Sequence, residues 1–323
     1  MWISPVIGPR PIADLTRDDV EDVRDGLDKA LDAKTIRHST ARNAWGVLTG
    51  ALKAAYAARD RSLRVHTAPL HFGILPPKRG DSRQRPWLYP REWAQVAESA
   101  EVPVEWRQLY AVAVYTGLRP GELRALTWAD VDLKARTLTV SKSYERETES
   151  VKAPKTFQGR RIVPLHEHLL PLLEKMQGEP GELVAPLLSA LKRGDDRVAM
   201  TFRAHVRAAG VDRARLDADN ATEERVDFRS LRDSYATWSA LAGVGERVLQ
   251  RRMGHASSST TDRYVKAAES FGADAIGEPF PPLPAALLTR VWPNDWTRKS
   301  RTPGFRRGIM VAREGFEPST FGL

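Results

Sequence analysis

Tyr264 is either an ordinary helix aromatic or a nucleophile for covalent chemistry. It stands nine residues after His255 in the segment MGHASSSTTDRY, where Gly254 can end one helix and a Ser or Thr can begin the next. A phenol oxygen can act as a nucleophile, and a neighbouring imidazole can donate or accept a hydrogen bond. A lone tyrosine on a helix is more often an ordinary packing residue. The segment alone leaves both interpretations open.

Arg119 occupies a second position at which the backbone could aim a side chain. In the segment TGLRPGELRALTW, Gly117 can end one helix and Pro120 can open the next. Arg119 therefore lies in the sharp connection between two helices, and leucines on both sides can anchor that corner in a core. The alternative for this motif by itself is an exposed arginine in a loop.

Three more basic residues fall at predicted turns or helix starts. Lys155, in APKTFQGRRIVPL, lies near the tip of a predicted β-hairpin, where most lysines only add solubility. In DFRSLRDSYATW, Asp227 can cap a helix, and Arg229 and Arg232 then share one helix face at positions i and i+3.

Composition limits the classes of partner and chemistry. The 323 residues include 50 Lys and Arg against 41 Asp and Glu, a net charge of +9, and no cysteine. Guanidinium groups suit phosphate, so a nucleic acid is the predicted partner, although a GC-rich genome that favours Arg codons would give the same bias. We find no Walker loop, dinucleotide-binding glycine fingerprint or HExxH zinc motif, and we predict no metal and no cofactor. The sequence has no apolar run of about 20 residues and no signal peptide pattern, which predicts a cytoplasmic protein without a membrane partner.

The apolar pattern predicts a mainly α-helical protein with a small antiparallel β-sheet, an α+β fold. Helical patterns over 16–31 and 40–60 predict a first, helical domain over residues 1–78. The Pro-, Gly- and Arg-rich stretch 79–86 predicts a linker.

A larger second domain is predicted over residues 87–277. It combines several helical patterns with strand-like composition at 136–145 and 160–165. Residues 278–323 contain many prolines and are predicted to form a flexible tail.

Taken together, the order and spacing of the motifs resemble those of the tyrosine recombinases, also called phage integrases. TGLRPGELRALTWADVD resembles the first arginine motif of that family, and PKTFQGRRIVPL is similar to its β-hairpin lysine motif. FRSLRDSYAT is similar to the His-x-x-Arg motif, and MGHASSSTTDRY to the Leu-Gly-His motif followed by the nucleophile. The resemblance covers residues 87–268 and implies the catalytic-domain fold of the family. Residues 1–78 resemble, less closely and with an abrupt start, its helical core-binding domain.

The resemblance implies an enzyme that cuts and rejoins DNA without a metal. Tyr264 would attack the scissile phosphodiester, form a 3′-phosphotyrosyl bond and release a 5′-hydroxyl. Arg119 and Arg232 would stabilise the charge on the phosphate oxygens in the transition state. Lys155 would protonate the leaving oxygen, and His255 would donate a hydrogen bond to the same phosphate.

The function implied by the resemblance is integration and excision of a prophage or another mobile element. The implied partners are double-stranded DNA attachment sites, on which four copies of the chain would assemble, and a directionality factor. Two alternatives stay open. One is a DNA-binding paralogue impaired in catalysis, and the other is an enzyme like the type IB topoisomerases, which share this chemistry.

Arg229 departs from the pattern of the family, which usually has His or Lys at this position. A guanidinium keeps its proton, so Arg229 cannot act as a general base, but it can donate to a phosphate oxygen or stabilise a phenolate. Asp233 stands directly after Arg232, where the family commonly has a second His. We expect its carboxylate to orient Arg229 or Arg232 by a salt bridge, or to balance the local charge.

Overall fold

The computed structural model of the chain divides into two compact units, Met1–Ser82 and Arg83–Leu323. Helices predominate and the strands are short and antiparallel, which confirms the predicted α+β class. In the part of the chain that the structure describes, no helix is both long and apolar enough to cross a membrane. The described residues are 2–8, 10–78, 83–145, 147–153, 160–189, 197–220, 222–271 and 276–289.

The first unit is built on two long helices, as its sequence pattern predicts. Thr16 caps the first of them, because its hydroxyl oxygen accepts a hydrogen bond from the Asp19 backbone N–H at 3.4 Å, and the Asp19 carboxylate in turn accepts one from the Thr16 backbone N–H at 2.8 Å. The apolar faces of the two helices form a small separate core that includes Val23 and Leu48. In the described part of the unit the helices are α1 (Ser4–Ile7), α2 (Arg17–Asp32) and α3 (His38–Ala57).

The second unit is organised around a helix that is buried along nearly its whole length. Every residue of that helix from Trp106 to Thr116 is buried, so it is surrounded on all sides by other elements. The helices in the described part of this unit are α4 (Pro90–Glu98), α5 (Val104–Thr116), α6 (Pro120–Ala125), α7 (Leu170–Met176), α8 (Pro186–Ser189), α9 (Arg197–Ala208), α10 (Ser230–Leu241), α11 (Glu246–Met253) and α12 (Ser259–Glu269). The buried helix is α5, and α10 packs against α5, α11 and α12.

The strands in the described part of this unit are β1 (Val131–Asp132), β2 (Thr137–Val140), β3 (Ser143–Glu145), β4 (Ser150–Lys152) and β5 (Arg161–Pro164). A three-stranded antiparallel sheet has the order β1-β2-β5, and β3 and β4 form a separate hairpin. The segment 136–145, predicted as one strand, is therefore divided between β2 and β3. In the break between them, the Lys142 ammonium turns back to pair with Asp130 at 2.9 Å.

The register of β5 decides which of its residues face the core. Leu138 of β2 lies opposite Val163, and both are buried, whereas Ile162 points outward. Because side chains alternate along a strand, Arg161 lies on the same inner face as Val163.

Residues near both ends of the predicted second domain pack on this unit. Arg85, from the predicted linker, pairs with Glu224 at 2.8 Å. We expected a flexible tail from residue 278, but Phe280 is buried and its ring lies 5.5 Å from that of Trp238. Leu287 is also buried, because the aromatic and aliphatic side chains of 278–289 supply part of the core. Residues 290–323 lie outside the described part of the chain.

His205 of α9 predicts a pH dependence of stability in the second unit. Its Nδ1 lies 2.9 Å from the Tyr110 hydroxyl, and burial lowers its pKa from 6.5 to about 4. Between pH 6.5 and about pH 4, His205 therefore binds a proton in the unfolded chain but not in the folded chain. The free energy of unfolding keeps its full value above pH 6.5 and decreases as the pH falls from 6.5 towards 4. We expect His205→Gln, which keeps a hydrogen-bonding group near Tyr110, to reduce this loss in thermal unfolding measured between pH 7 and pH 5.

His38→Gln, at the start of α3 in the first unit, is the control for that experiment. It should keep the pH dependence of the wild type. An unchanged pH dependence in His205→Gln would show that His205 does not cause the effect.

Candidate active site

A cavity of about 730 Å³ in the second unit brings together distant parts of the sequence. Five of the six predicted site residues line it: Arg119, Arg229, Arg232, His255 and Tyr264. The sixth, Lys155, lies in 154–159, between β4 and β5, outside the described residues. Among the described residues, no three His, Asp or Glu side chains are grouped closely enough to hold a metal ion.

The corner that carries Arg119 depends on the two residues that flank it. Gly117 ends α5 in the left-handed region, with φ +62°, and a Cβ there would lie 2.3 Å from the Tyr235 ring. Glycine is thus required both by its backbone angle and by this close approach. Pro120 opens α6, as predicted, so Arg119 is the last residue of the short connection between the two helices.

Glu122 holds the Arg119 side chain in place. Its carboxylate accepts hydrogen bonds from the Arg119 backbone N–H and from Nη1, both at 2.8 Å. Nη2 of Arg119 donates to the carbonyl of Gly254 at 2.7 Å. The side chain of Arg119 is nevertheless 42% exposed. It therefore faces the cavity, while Glu122 and the Gly254 carbonyl fix its orientation.

Arg161 is the second partner of Glu122. Neither Arg161 nor Glu122 was among the site residues predicted from the sequence. Its side chain is 5% exposed and donates to both oxygens of Glu122, at 2.9 and 2.7 Å. Burial alone would raise the pKa of Glu122, but the hydrogen bonds and charge of Arg161 outweigh it, with help from Arg232, and lower the pKa to about 2. A glutamate three residues after a helix N-cap was the available signal for this role.

Arg232 is held by the ends of two helices. Its guanidinium donates to the carbonyl of Gly117, at the end of α5, and to that of Met253, at the end of α11. Such terminal carbonyls have no partner within their own helices and attract cations. Burial, followed by the charge of Arg119, lowers the pKa of Arg232 to about 10, which still leaves it charged at neutral pH.

His255 follows α11 directly and is uncharged at neutral pH. Gly254 ends α11 in the left-handed region, and the His255 backbone N–H donates back to the Gln250 carbonyl at 3.1 Å. Its Nδ1 lies 3.0 Å from the hydroxyl oxygen of Thr261. Burial, followed by the charges of Arg232 and other arginines, lowers the pKa of His255 to about 3.

Tyr264 lies on α12 with its ring nearly parallel to that of His255, at 6.2 Å between ring centres. The residue is only 5% exposed. Its hydroxyl donates to the Asp233 carboxylate and accepts a hydrogen bond from Arg263. Burial, and then the charge of Asp233, raises its pKa to about 12 despite the opposing charge of Arg263.

Asp233 balances the charge of nearby arginines, which is one of the two roles that we expected, but its partners are not Arg229 and Arg232. It pairs with Arg85 at 3.3 Å and with Arg263 at 3.1 Å, instead of with Arg229 or Arg232. One residue along an α-helix is a rotation of about 100°, so Asp233 faces away from Arg232 and towards α12. Arg229 is exposed at the start of α10, where its backbone N–H donates to Asp227 at 2.8 Å.

Residues 86–270 match the phage integrase family. The chain belongs to this family. A tyrosine recombinase of Thermosipho africanus is 29% identical over 174 residues, which are 53% of this chain and 54% of the relative. A protein of Escherichia coli K12 described as a defective protein, IntQ, is 29% identical over 177 residues, 47% of this chain and 42% of the relative. The chain thus spans about half the length of these curated relatives.

The phage integrase fold is also supported by solved structures. An integrase of the Tn1549 transposon, in complex with transposon right end DNA, superposes with a TM-score of 0.54. The two share 19% sequence identity, and the match covers 82% of this chain and 87% of the other. At this identity the similarity shows the fold alone.

Proposed function

We propose that the protein is a tyrosine site-specific recombinase, which cuts and rejoins double-stranded DNA through a 3′-phosphotyrosyl intermediate. The observation that carries this proposal is the convergence of a phenol, two guanidiniums and an imidazole on one cavity. They come from three separate segments of the sequence, one of which carries both His255 and Tyr264, and membership of the phage integrase family supports the same function.

The scissile phosphate would bind between the two arginines. Arg119 and Arg232 are both fixed through backbone carbonyls, which leaves other N–H groups of each guanidinium for phosphate oxygens. Donors that are already oriented stabilise the negative charge of the transition state without reorganising during the reaction. If the Thr261 hydroxyl donates to Nδ1 of His255, the proton on Nε2 is available to the same phosphate.

Two other groups complete the proposed chemistry. Lys155 would protonate the leaving 5′ oxygen. This role is implied by the resemblance to the tyrosine recombinase motifs, because Lys155 lies outside the described residues. Arg229 lines the cavity with an exposed guanidinium and would serve as a further phosphate ligand.

The proposed partners follow from the same function. The chain would bind DNA attachment sites as a tetramer, with a directionality factor that sets integration against excision. The net charge of +9 would give much of the affinity, so DNA binding should weaken steeply as salt increases.

A catalytically impaired DNA-binding protein is the second candidate, because Arg229 replaces the usual His or Lys and one relative is described as defective. The deciding experiment incubates the protein with nicked suicide substrates that carry the attachment region, followed by denaturing electrophoresis. A recombinase gives a covalent protein–DNA product. Site-specific binding without that product would favour the impaired protein, and relaxation of supercoiled DNA without sequence preference would favour a topoisomerase.

A further inference from the structure

The hydroxyl of Tyr264 is engaged by a carboxylate that the family pattern does not supply. It donates to Oδ1 of Asp233, and Arg263 donates both to that carboxylate and to the phenol oxygen. The carboxylate of Asp233 and the phenol of Tyr264 are both buried. The contact is therefore a specific one in a site largely removed from water.

Tyr264 requires a proton acceptor if it attacks a phosphodiester. With a pKa of about 12, only about 1 in 10⁵ molecules would carry a phenolate at pH 7. Arg229 cannot take the proton, because a guanidinium has no free lone pair to accept it. His255 lies alongside the Tyr264 ring, and its Nδ1 is directed to Thr261.

We propose that Asp233 is the general base that accepts the proton of Tyr264 during strand cleavage. This role rests on the proposed function. As a lone pair of the phenol oxygen forms the bond to phosphorus, the phenol proton passes to Oδ1 of Asp233. The bond between phosphorus and the 5′ oxygen breaks, and that oxygen takes a proton from an ammonium, for which Lys155 is the candidate, or from water.

The contacts of Asp233 suit a base that acts only when the phosphate is present. Before attack, the hydrogen bond to Asp233 keeps the phenol protonated and unreactive. During attack the phenol oxygen loses electron density to phosphorus and its O–H becomes strongly acidic, so a carboxylate can then accept the proton. Arg85 and Arg263 hold the carboxylate in place throughout. In rejoining, the protonated Asp233 returns the proton to the leaving phenolate.

Asp233→Asn tests the proposal with the smallest change of shape. The amide oxygen can still accept a hydrogen bond, but it cannot take a proton. We expect covalent complex formation on a suicide substrate, measured in a single turnover, to slow by about 10²- to 10³-fold. Replacing Tyr264 by a fluorotyrosine of lower phenol pKa should restore at least about tenfold of that loss, because an acidic phenol depends less on a base. The same replacement in the wild type should change the rate little.

Asp130→Asn is the matched control. Asp130 is a largely buried carboxylate that pairs with Lys142 at 2.9 Å, and it does not line the cavity. This variant should cleave at close to the wild-type rate.

Asp233→His provides a second readout that does not depend on how well Asp233→Asn folds. An imidazole can accept the phenol proton, so this variant should cleave at least about tenfold faster than Asp233→Ala, which leaves no proton acceptor at this position. A wild-type rate in Asp233→Asn, a loss that the fluorotyrosine does not recover, or equal rates in Asp233→His and Asp233→Ala would each overturn the role of Asp233. Absence of any covalent product with the wild type would remove the proposed recombinase function itself, and this role with it.

Discussion

Tyr264→Phe is expected to abolish covalent attachment to DNA and to leave DNA binding intact. Phenylalanine keeps the ring beside His255 and beneath the guanidinium of Arg263, which lies 4.5 Å from the ring centre. Only the hydroxyl is lost, and Asp233 retains its two arginine partners. The fold should therefore change little, with a cost of about 1 kcal/mol for the missing hydrogen bond. Denaturing electrophoresis on a suicide substrate and a gel shift on the intact site measure the two effects separately.

Tyr144→Phe is the control, because Tyr144 is the other tyrosine that lines the cavity. Its ring lies under Arg124, at 4.0 Å from the guanidinium, and its carbonyl packs close to Gly121. This variant should form the covalent complex as the wild type does. A covalent product in Tyr264→Phe, together with its loss in Tyr144→Phe, would move the nucleophile to Tyr144.

The residues that sequence alone could place are those set by local structure. The αL glycine Gly117 and the N1 proline Pro120 define the corner of Arg119, and a glycine likewise precedes His255. Each of these signals acts within a few residues, so it can be read without knowledge of the fold. The helices followed in the same way, since a buried apolar face leaves a period of 3.6 in the sequence.

The supporting residues depend on tertiary structure and could not be placed in that way. Whether Arg160 or Arg161 faces the core is decided by the register of β5, and a shift of one residue would exchange them. The partners of Asp233 come from α12 and from residue 85, which was assigned to a linker. From the sequence we expected Asp233 to pair with Arg229 or Arg232, because these arginines are its neighbours along the chain. The fold instead brings Arg263 and Arg85 closer to its carboxylate.

Several arginines lie close together in the site, and carboxylates offset the repulsion between their charges in the folded protein. Arg119, Arg161 and Arg232 are close enough for their charges to lower the pKa of His255. The Glu122 carboxylate accepts hydrogen bonds from two of these guanidiniums, those of Arg119 and Arg161. Its loss should therefore affect stability and catalysis together.

Glu122→Gln is expected to lower the free energy of unfolding by about 3 kcal/mol, because it removes the carboxylate that pairs with the buried guanidinium of Arg161. The pKa of Glu122, lowered to about 2, gives a similar value relative to an ordinary glutamate. This stabilisation is present above about pH 4.5 and is lost as the pH falls from there towards 2. Denaturant unfolding at pH 7 and at pH 3 should show a smaller difference in the variant.

Cleavage by Glu122→Gln should also slow, by about 10²-fold, because Arg119 loses the carboxylate that directs it. Glu92 supplies a matched control of the same local design. It is the third residue of α4, which begins at Pro90. Its carboxylate accepts a hydrogen bond from the Tyr89 backbone N–H at 2.8 Å and pairs with Arg213 at 2.6 Å, but it does not line the cavity. Glu92→Gln should lose stability without a specific loss of cleavage at temperatures where the variant is folded. Equal slowing of cleavage in the two variants would reduce Glu122 to a purely structural residue.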